Sequence, residues 1–464
     1  MLLKKDTDMT RGSIVSQLLG FAVPMMLGLL FQSFYSTVDA WVVGKFVGSN
    51  ALAAVGCNGN LINTIVGTFA GLSTGASVVI SQAYGAHDDG LLSRAVHTTI
   101  ALTFILSVVG TLIGVLAADP LLKLSNLTDP AVKKDALLYL QIYFWGLSGL
   151  MVYNMGTGIL RAVGDSTRPV IFLIISAVVN TALDLLFVLA FDMEVAGVAL
   201  ATIISELVSA VLVMIALFKT DGAYKLKLKL IKIHADVFKR IMLLGLPAAF
   251  QSAVTSFSNV FVQAYINSLK TAGIAGWTAY GRLDAFLVVP VQSISMASAT
   301  LVAQNWGAGK YRRAHDGTRV SVLLSLATTL VLSALLMAFS GQLVGLFVKK
   351  GEKDVIEFGS YFIRVITPFY LLICFNQIYS GALRGIGKAV APTVIMLMSF
   401  VAFRQIYLFV FGKLLFPSSR LVIALAYPVG WTMCSTLLII YYLNSELFRA
   451  RNYEDGPEPG KEEK

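Results

Sequence analysis

The sequence contains few charged side chains. Only 13% of its 464 residues are Asp, Glu, Lys or Arg, which is about half the charged fraction of an average soluble domain. Hydrophobic residues make up 56% of the chain, and no polar stretch is long enough to form a separate soluble domain. The composition therefore predicts a membrane protein and excludes a large catalytic domain outside the membrane.

Cysteine is also scarce. Cys57, Cys374 and Cys434 lie inside apolar runs, so the sequence offers neither a disulfide framework nor metal-ligand spacing. The glycine-containing segment 381–388 lacks the Ser or Thr of a phosphate-binding loop, and no arrangement of nucleophile, base and orienting residue is recognisable. The net charge of +10 is spread between apolar runs rather than gathered on one face. We therefore predict a protein that is not an enzyme and that has neither a cofactor nor a nucleic-acid partner.

The apolar runs are long enough to predict twelve membrane helices. They cover residues 13–43, 51–84, 94–118, 135–160, 168–191, 195–218, 239–268, 273–305, 318–347, 355–383, 391–416 and 421–443. Of the 36 Lys and Arg residues, 23 lie on the side of the two termini, 10 lie on the other side and 3 lie inside spans. This asymmetry predicts a multi-pass plasma (inner) membrane protein with both termini in the cytoplasm.

The chain contains an internal repeat. Residues 158–169 (GILRAVGDSTRP) match residues 381–392 (GALRGIGKAVAP) at an offset of 223, and residues 81–86 match residues 303–308 at an offset of 222. Six spans per half is an even number, so the halves are parallel repeats about an axis along the membrane normal. Two parallel bundles favour an alternating-access carrier over a channel.

The repeat sets the predicted domain organisation. It comprises an N-lobe at 1–218, a basic cytoplasmic linker at 219–238, a C-lobe at 239–443 and a cytoplasmic tail at 444–464. Lys and Leu alternate in the linker, which predicts a solvated connection lying on anionic lipid. A functional membrane-surface or partner site is the alternative interpretation. Gly67, Gly71 and Gly75 form consecutive GxxxG steps in span two, which predict close helix packing.

Four acidic side chains inside predicted spans are candidate functional groups, because an ionisable group at membrane depth is costly. By the predicted topology, Asp39 in span one and Asp184 in span five lie at similar depth. The acids in the first half each have a polar residue four positions earlier on the same helix face. The pairs are Tyr35 with Asp39, Asn180 with Asp184, and Thr202 with Glu206.

Two carboxyl groups close together in a low-dielectric pocket hold either a proton or a cation between them. Oxygen ligands from Asp39, Asn180, Asp184 and Thr202 suit H⁺ or Na⁺. The alternative is that these groups only make hydrogen bonds between helices. Glu206 is also a candidate for lining the substrate cavity.

Three further residues are candidates for roles in transport. Pro24 interrupts the hydrogen bonding of span one and predicts a hinge below Asp39; tolerance of proline in membrane helices is the alternative. Arg282 and Asp284, near the start of span eight, either form a local ion pair or face the substrate cavity. The other basic residues inside spans are Arg364 and Arg404.

The chain resembles the multidrug and toxic compound extrusion (MATE) transporters over nearly its whole length. The resemblance lies in the twelve spans in two repeats, Pro24 and Asp39 in span one, the Gln82–Gly85 step and its repeat Gln304–Gly307, and the Leu160–Asp165 motif and its repeat from Leu383. It implies a V-shaped pair of six-helix lobes that exports drugs, often organic cations, in exchange for Na⁺ or H⁺.

The resemblance also implies a cation site. The family's N-lobe site corresponds to Asp39, Asn180, Asp184 and Thr202, with Tyr35 and Asn154 nearby; only Asn154 is added by the resemblance. Where one branch of the family uses a glutamate on span seven, this chain offers Asn259 and Gln263. That departure makes it more similar to the branch of the DNA-damage-inducible F proteins.

Together these features favour a secondary multidrug efflux antiporter for lipophilic, cationic compounds. We expect drug-like molecules and membrane lipids as its partners, and a monomer. A flippase for lipid-linked saccharides or peptides is the alternative transporter, although such a protein should line its cleft with basic residues. A channel or a signalling membrane protein is the alternative from another class.

Overall fold

In the computed structural model of the chain, the described residues are 7–123, 130–269, 271–348, 352–417 and 419–453. Within these ranges, nine side chains are not described; they belong to Tyr35, Ala40, Trp41, Ser49, Asn50, Leu52, Cys57, Asn60 and Lys123. The described residues are almost all helical and contain no β-strand.

The helices occur in the order that the apolar runs predict. They are α1 Ile14–Val42, α2 Ser49–Gly85, α3 Asp89–Lys123, α4 Pro130–Trp145, α5 Leu147–Ala162, α6 Thr167–Leu185, α7 Glu194–Lys219, α8 Ala235–Ile266, α9 Thr271–Gly307, α10 Tyr311–Ala338, α11 Ser340–Gly345, α12 Lys353–Ile366, α13 Tyr370–Gly385, α14 Val390–Leu397, α15 Arg404–Tyr407, α16 Arg420–Leu443 and α17 Glu446–Arg449. Eleven helical segments are long and apolar enough to cross a membrane, and α4 and α5 form a twelfth, bent by 50°. The prediction of an all-α membrane fold is confirmed.

The chain divides into two compact units whose boundaries cut through two helices. The first unit contains Leu27–Ala249 together with the chain up to Asp8, and the second contains Met9–Met26 and everything from Phe250 onward. The N-terminal part of α1 therefore belongs to the second unit, and the N-terminal part of α8 belongs to the first. The predicted lobe boundary, by contrast, lies between spans six and seven.

A ladder of serines joins α2 to α5 inside the first unit. The hydroxyl groups of Ser73, Ser77 and Ser81 donate to the carbonyls of Asn154, Gly158 and Ala162 at 2.9, 2.8 and 3.0 Å. Both series advance by four residues, because helix positions four apart share a face. A Cβ at Gly158 would overlap the Ser73 hydroxyl, so the repeated glycine serves helix packing.

The second unit keeps one rung of this ladder. Ser295 on α9 donates to the carbonyl of Gln377 on α13 at 2.8 Å, and a Cβ at Gly381 would lie 3.0 Å from the Ser295 hydroxyl oxygen. Ala299 and Ala303 stand where α2 has Ser77 and Ser81. The sequence repeat is therefore also a repeat of one helix contact.

The glycines of α2 pack against the part of α8 that lies in the first unit. A Cβ at Gly71 would overlap the backbone nitrogen of Ala249, and one at Gly75 would overlap that of Gly245. The backbones of the two helices therefore touch without intervening side chains. At these two glycines the prediction of close helix packing is confirmed.

A buried carboxyl pair as the candidate functional site

The structure brings the side chains of Asp39 and Asp184 together. Asp39 lies near the end of α1, and Asp184 is fully buried in the last turn of α6. Their carboxyl groups lie close enough to interact with each other. A carboxylate is an acceptor only, so a hydrogen bond between the two groups requires a proton on one of them. The pair can therefore hold a single shared proton.

The pair is largely removed from water. The Oδ1 atom of Asp39 is buried and has no hydrogen-bond partner among the described residues. Leaving a charged carboxylate in this state is costly, which favours either protonation or binding of a cation. The fully buried Asn180 lies one turn before Asp184 on α6 and supplies an amide near the pair.

The α6 helix changes its winding directly after Asp184. A π-helical turn, Leu186–Ala190, follows the end of α6 at Leu185. The second unit has a π-helical segment, Leu408–Leu415, at the equivalent position of the repeat. Because π-helical turns occur frequently at functional sites, this break is consistent with a specialised role for the end of α6.

Tyr139 on α4 completes the group, although the sequence analysis did not identify it. Tyr139 is buried, and its hydroxyl group interacts with the side chain of Thr202 on α7 and with the three acids inside the predicted spans of the first half. The hydroxyl of Thr202 also donates to the carbonyl of Val198 at 3.0 Å. Tyr139 and Tyr143 are four residues apart in span four, and this spacing of two hydroxyl groups is the signal that could have indicated them.

Glu206 lies one turn after Thr202 and contacts the second tyrosine. The hydroxyl of Tyr143 donates to Glu206 Oε1 at 3.5 Å, and the rings of Tyr139 and Tyr143 are stacked with their centroids 6.4 Å apart. Glu206 Oε2 is buried without a hydrogen-bond partner among the described residues. Glu206 is thus linked to Tyr139 through Tyr143.

Two other predicted residues are placed differently. The Asn154 amide nitrogen donates to the carbonyl of Leu150 in its own helix at 2.9 Å, and the Asn154 carbonyl accepts from Ser73. None of the described contacts joins Asn154 to Asp39 or Asp184. Tyr35 lies in α1, but its side chain is outside the described part of the chain.

In the second unit, Asp284 is bound by tyrosines. The hydroxyl of Tyr280 donates to Asp284 Oδ1 at 3.2 Å and also hydrogen bonds to the hydroxyl of Tyr370 at 2.8 Å. Arg282 is exposed, and the described ion pairs do not join it to Asp284. Arg282 and Asp284 therefore do not form the local ion pair that was one of the two alternatives.

The basic residues inside the spans of the second unit differ from each other. Arg404 is buried, donates through Nη2 to Ser258 Oγ at 2.8 Å and to Asn259 Oδ1 at 3.0 Å, and its guanidinium carbon lies 4.9 Å from the centre of the Tyr427 ring. Arg364 is exposed and donates to Ser340. Arg404 is therefore held by polar and aromatic neighbours at membrane depth.

The fold and the site together define a polytopic helical transporter with a buried acidic site in its first repeat. A family model, MatE, matches the chain twice, at residues 24–186 and 247–409. The chain belongs to this family of membrane transporters, and it is therefore not an enzyme. The two matches begin at the two equivalent prolines and cover both repeats.

Curated relatives and solved structures extend over almost the whole chain. The probable multidrug resistance protein YpnP of Bacillus subtilis is 28% identical over 444 residues, covering 94% of this chain and 97% of YpnP. The multidrug export protein MepA of Staphylococcus aureus is 21% identical over 442 residues, covering 94% and 96% of the two chains. A MOP superfamily transporter from Pyrococcus furiosus has the same fold, with a TM-score of 0.88 at 22% identity over 97% of this chain and all of the other.

Proposed function

We propose that this protein is a secondary multidrug efflux antiporter that exports lipophilic, cationic compounds in exchange for H⁺ or Na⁺. The proximity of the carboxyl groups of Asp39 and Asp184 carries the proposal. The relatives YpnP and MepA, with their multidrug names, support the substrate class. The acids Asp39, Asp184 and Glu206 lie inside spans of the first half, whereas the three basic residues assigned to the inside of spans all lie in the second half. This distribution supports cationic cargo.

The pair couples ion entry to export because its charge depends on what it holds. With one proton or one Na⁺ bound, the pair carries less negative charge, and keeping it away from water costs less free energy. Asn180, Thr202 and Tyr139 add neutral oxygens that suit either ion. Release of the ion restores a negative site, which then attracts a cationic compound.

Pro24 acts as the hinge in this proposal. It lies 15 residues before Asp39 within α1, and the missing backbone hydrogen bond lowers the resistance of the helix to bending. A change of charge at Asp39 thereby alters the favoured course of α1. The excess of basic residues on the terminal side orients the protein in the inner membrane with both termini in the cytoplasm. The transporter works as a monomer.

Dye efflux from proteoliposomes under separately imposed pH and Na⁺ gradients tests the function. One of the two gradients drives export by the unmodified protein, and it thereby identifies the coupling ion. Asp39→Asn and Asp184→Asn each abolish gradient-driven export while leaving the amount of folded protein unchanged.

Glu357→Gln is the control, because it removes an exposed carboxylate of the second unit that pairs with Arg420 at 3.3 Å. This variant retains coupled export. Normal gradient-driven export by Asp39→Asn contradicts the assignment of the coupling site, and export that neither gradient drives contradicts the antiporter itself.

A further inference from the structure

The connection between α7 and α8 is bound to the first unit rather than free in solvent. Tyr224 and Leu226 are buried, and the Tyr224 hydroxyl accepts a hydrogen bond from Arg168 at 3.3 Å. The backbone nitrogen of Leu226 donates to the carbonyl of Leu217 at 3.0 Å. The first part of the connection therefore has a fixed course.

Two side chains of α3 hold the remaining part. His97 is buried; its Nδ1 donates to the carbonyl of Ser93 at 2.7 Å, and its Nε2 accepts from the backbone nitrogen of Lys227 at 3.0 Å. The hydroxyl of Thr98 donates to the carbonyl of Lys232 at 3.3 Å and accepts from the backbone nitrogen of His234 at 3.2 Å. Both ends of the 227–233 segment are thus attached to neighbouring positions of one helix.

The attachment points set the depth of the 227–233 segment. The 35 residues of α3 make a helix of about 52 Å, which exceeds the hydrocarbon core of about 30 Å by roughly 11 Å on each side. His97 lies about 12 Å from the start of α3 at Asp89. With α3 centred in the bilayer and upright, the segment lies beside the boundary between hydrocarbon and headgroups.

At this depth the segment presents a mixed surface to its environment. The exposed fractions of Leu228, Leu230 and Ile233 are 69%, 48% and 38%, and the side chains of Lys227, Lys229 and Lys232 are exposed between them. The nearby acid Asp236 already forms an ion pair with Arg94 at 3.1 Å. The surface is therefore apolar and positively charged at once, which complements anionic phospholipid.

The segment that precedes α1 shows that this exposure is not a general feature of the repeat. There Met9 is fully buried, its backbone nitrogen donates to Gln304 and its carbonyl accepts from Asn305. Arg313 and Lys310 also donate to backbone carbonyls of residues 9–12. In the second unit, side chains from the end of α9 to the start of α10 thus cover the segment that precedes α1. In the first unit, the leucines of the 227–233 segment remain exposed.

We propose that the 227–233 segment is a docking surface for anionic phospholipid. The leucine and isoleucine side chains enter the interface between the lipid chains, and the three lysines bind headgroup phosphates. Attachment to α3 through His97 and Thr98 holds this surface at headgroup depth, so little conformational entropy is lost when lipid binds. The inference concerns the lipid environment of the carrier and does not depend on its coupling ion.

A spin label at Leu230 tests the proposal in the full-length protein. The label is placed by Leu230→Cys in a variant whose three native cysteines are replaced by alanine and which still exports dye. The protein is reconstituted in vesicles of one part phosphatidylglycerol to three parts phosphatidylcholine. The label is expected to be accessible to oxygen and shielded from a water-soluble nickel chelate. A label at the exposed His87 provides the aqueous reference.

A charge variant separates specific binding from simple proximity to the membrane. Lys229→Gln with Lys232→Gln is compared with Lys134→Gln and Lys353→Gln, which remove two exposed lysines elsewhere. Titration of the detergent-solubilised protein with phosphatidylglycerol, read as lipid-induced thermal stabilisation, is expected to show about thirtyfold weaker binding in the first pair only. Inorganic phosphate should not replace the lipid.

Two outcomes overturn the proposal. One is a Leu230 label as accessible to the nickel chelate as the His87 label in phosphatidylglycerol vesicles. The other is equal weakening by the two lysine pairs, which shows that only overall charge matters. A loss of dye export in any of these variants bears on the proposed function and not on the lipid site. The label and the titration do not require transport, so both measurements can still be interpreted.

Discussion

Pro24 and Pro247 occupy equivalent positions in the two repeats, 223 residues apart. In each helix, the proline lies two residues before the last residue of the compact unit in which the helix begins. Pro24 interrupts α1 shortly before its passage from the second unit to the first, at Met26 and Leu27. Pro247 does the same in α8, where the passage falls at Ala249 and Phe250. The weak point of each helix thus coincides with its change of unit.

We expect Pro247→Ala to slow transport as much as Pro24→Ala does. Either substitution restores one helical hydrogen bond and stabilises the straight helix by about 1 kcal/mol, which shifts a bending equilibrium roughly fivefold. The measurement is the maximal dye-efflux rate in proteoliposomes, with the affinity for dye determined in parallel. Pro428→Ala is the control, because Pro428 interrupts α16 within the second unit. An unchanged rate in Pro247→Ala contradicts a hinge in α8.

Tyr139→Phe is expected to weaken ion binding without unfolding the protein. The substitution keeps the ring packed and removes the hydroxyl that contacts Thr202. Loss of one hydrogen bond, about 1 kcal/mol, corresponds to roughly fivefold lower apparent affinity for the coupling ion. The affinity is measured as the ion concentration that gives half-maximal efflux.

Tyr143→Phe is the matched control for Tyr139→Phe, because it affects the contact with Glu206 and leaves Thr202 untouched. Equal effects of the two variants on the ion dependence contradict a specific role of Tyr139 at the carboxyl pair. An effect of Tyr143→Phe on dye affinity alone assigns Glu206 to the substrate cavity.

The sequence predicted the helices well because long apolar runs admit few alternatives in a membrane. It also indicated the proximity of Asp39 and Asp184, since both were charged residues in apolar helices with the same predicted depth. Tyr139 has no charge, so its four-residue spacing from Tyr143 was only a weak signal. A tyrosine in an apolar span is common, and its contact with Thr202 depends on how α4 packs against α7. Side-chain packing of this kind is not encoded in the periodicity of one helix.

The passages of α1 and α8 between units were also invisible to the sequence. Hydropathy describes each helix as continuous and assigns α1 wholly to the first half. The unit to which a helix segment belongs is set by its neighbours, such as Gly71 and Gly75 of α2 against the start of α8. The predicted boundary between spans six and seven is a boundary of the sequence repeat, and the compact units follow contacts instead.

Gly75→Ala is expected to destabilise the protein by about 1–3 kcal/mol, because its Cβ would overlap the backbone of Gly245 and force the two helices apart. The measurement is thermal unfolding of the purified protein in detergent. Gly56→Ala is the control on the same helix, where nothing lies within 4 Å of an added Cβ; there the better helix propensity stabilises by about 0.5–1 kcal/mol. Equal effects contradict a close crossing of α2 and α8.

His97→Phe and Thr98→Val are each expected to release the 227–233 segment from α3. His97→Phe removes the acceptor of the Lys227 backbone nitrogen. Thr98→Val removes the hydroxyl that bonds to the Lys232 carbonyl and the His234 backbone nitrogen. A lost hydrogen bond of about 1 kcal/mol raises the open population roughly fivefold. Tryptic cleavage after the exposed lysines follows that population when opening is fast.

The rate of tryptic cleavage in this connection, read from the accumulation of the two half-chain fragments, measures the release. Thr99→Val is the control, because the Thr99 hydroxyl donates only to the carbonyl of Ala95 in its own helix among the described contacts. Cleavage in this control should match the unmodified protein. A cleavage rate in His97→Phe that is no higher than in Thr99→Val contradicts the view that α3 holds the segment. Added phosphatidylglycerol should slow cleavage in the unmodified protein, because the same lysines that trypsin recognises are those that bind the headgroups.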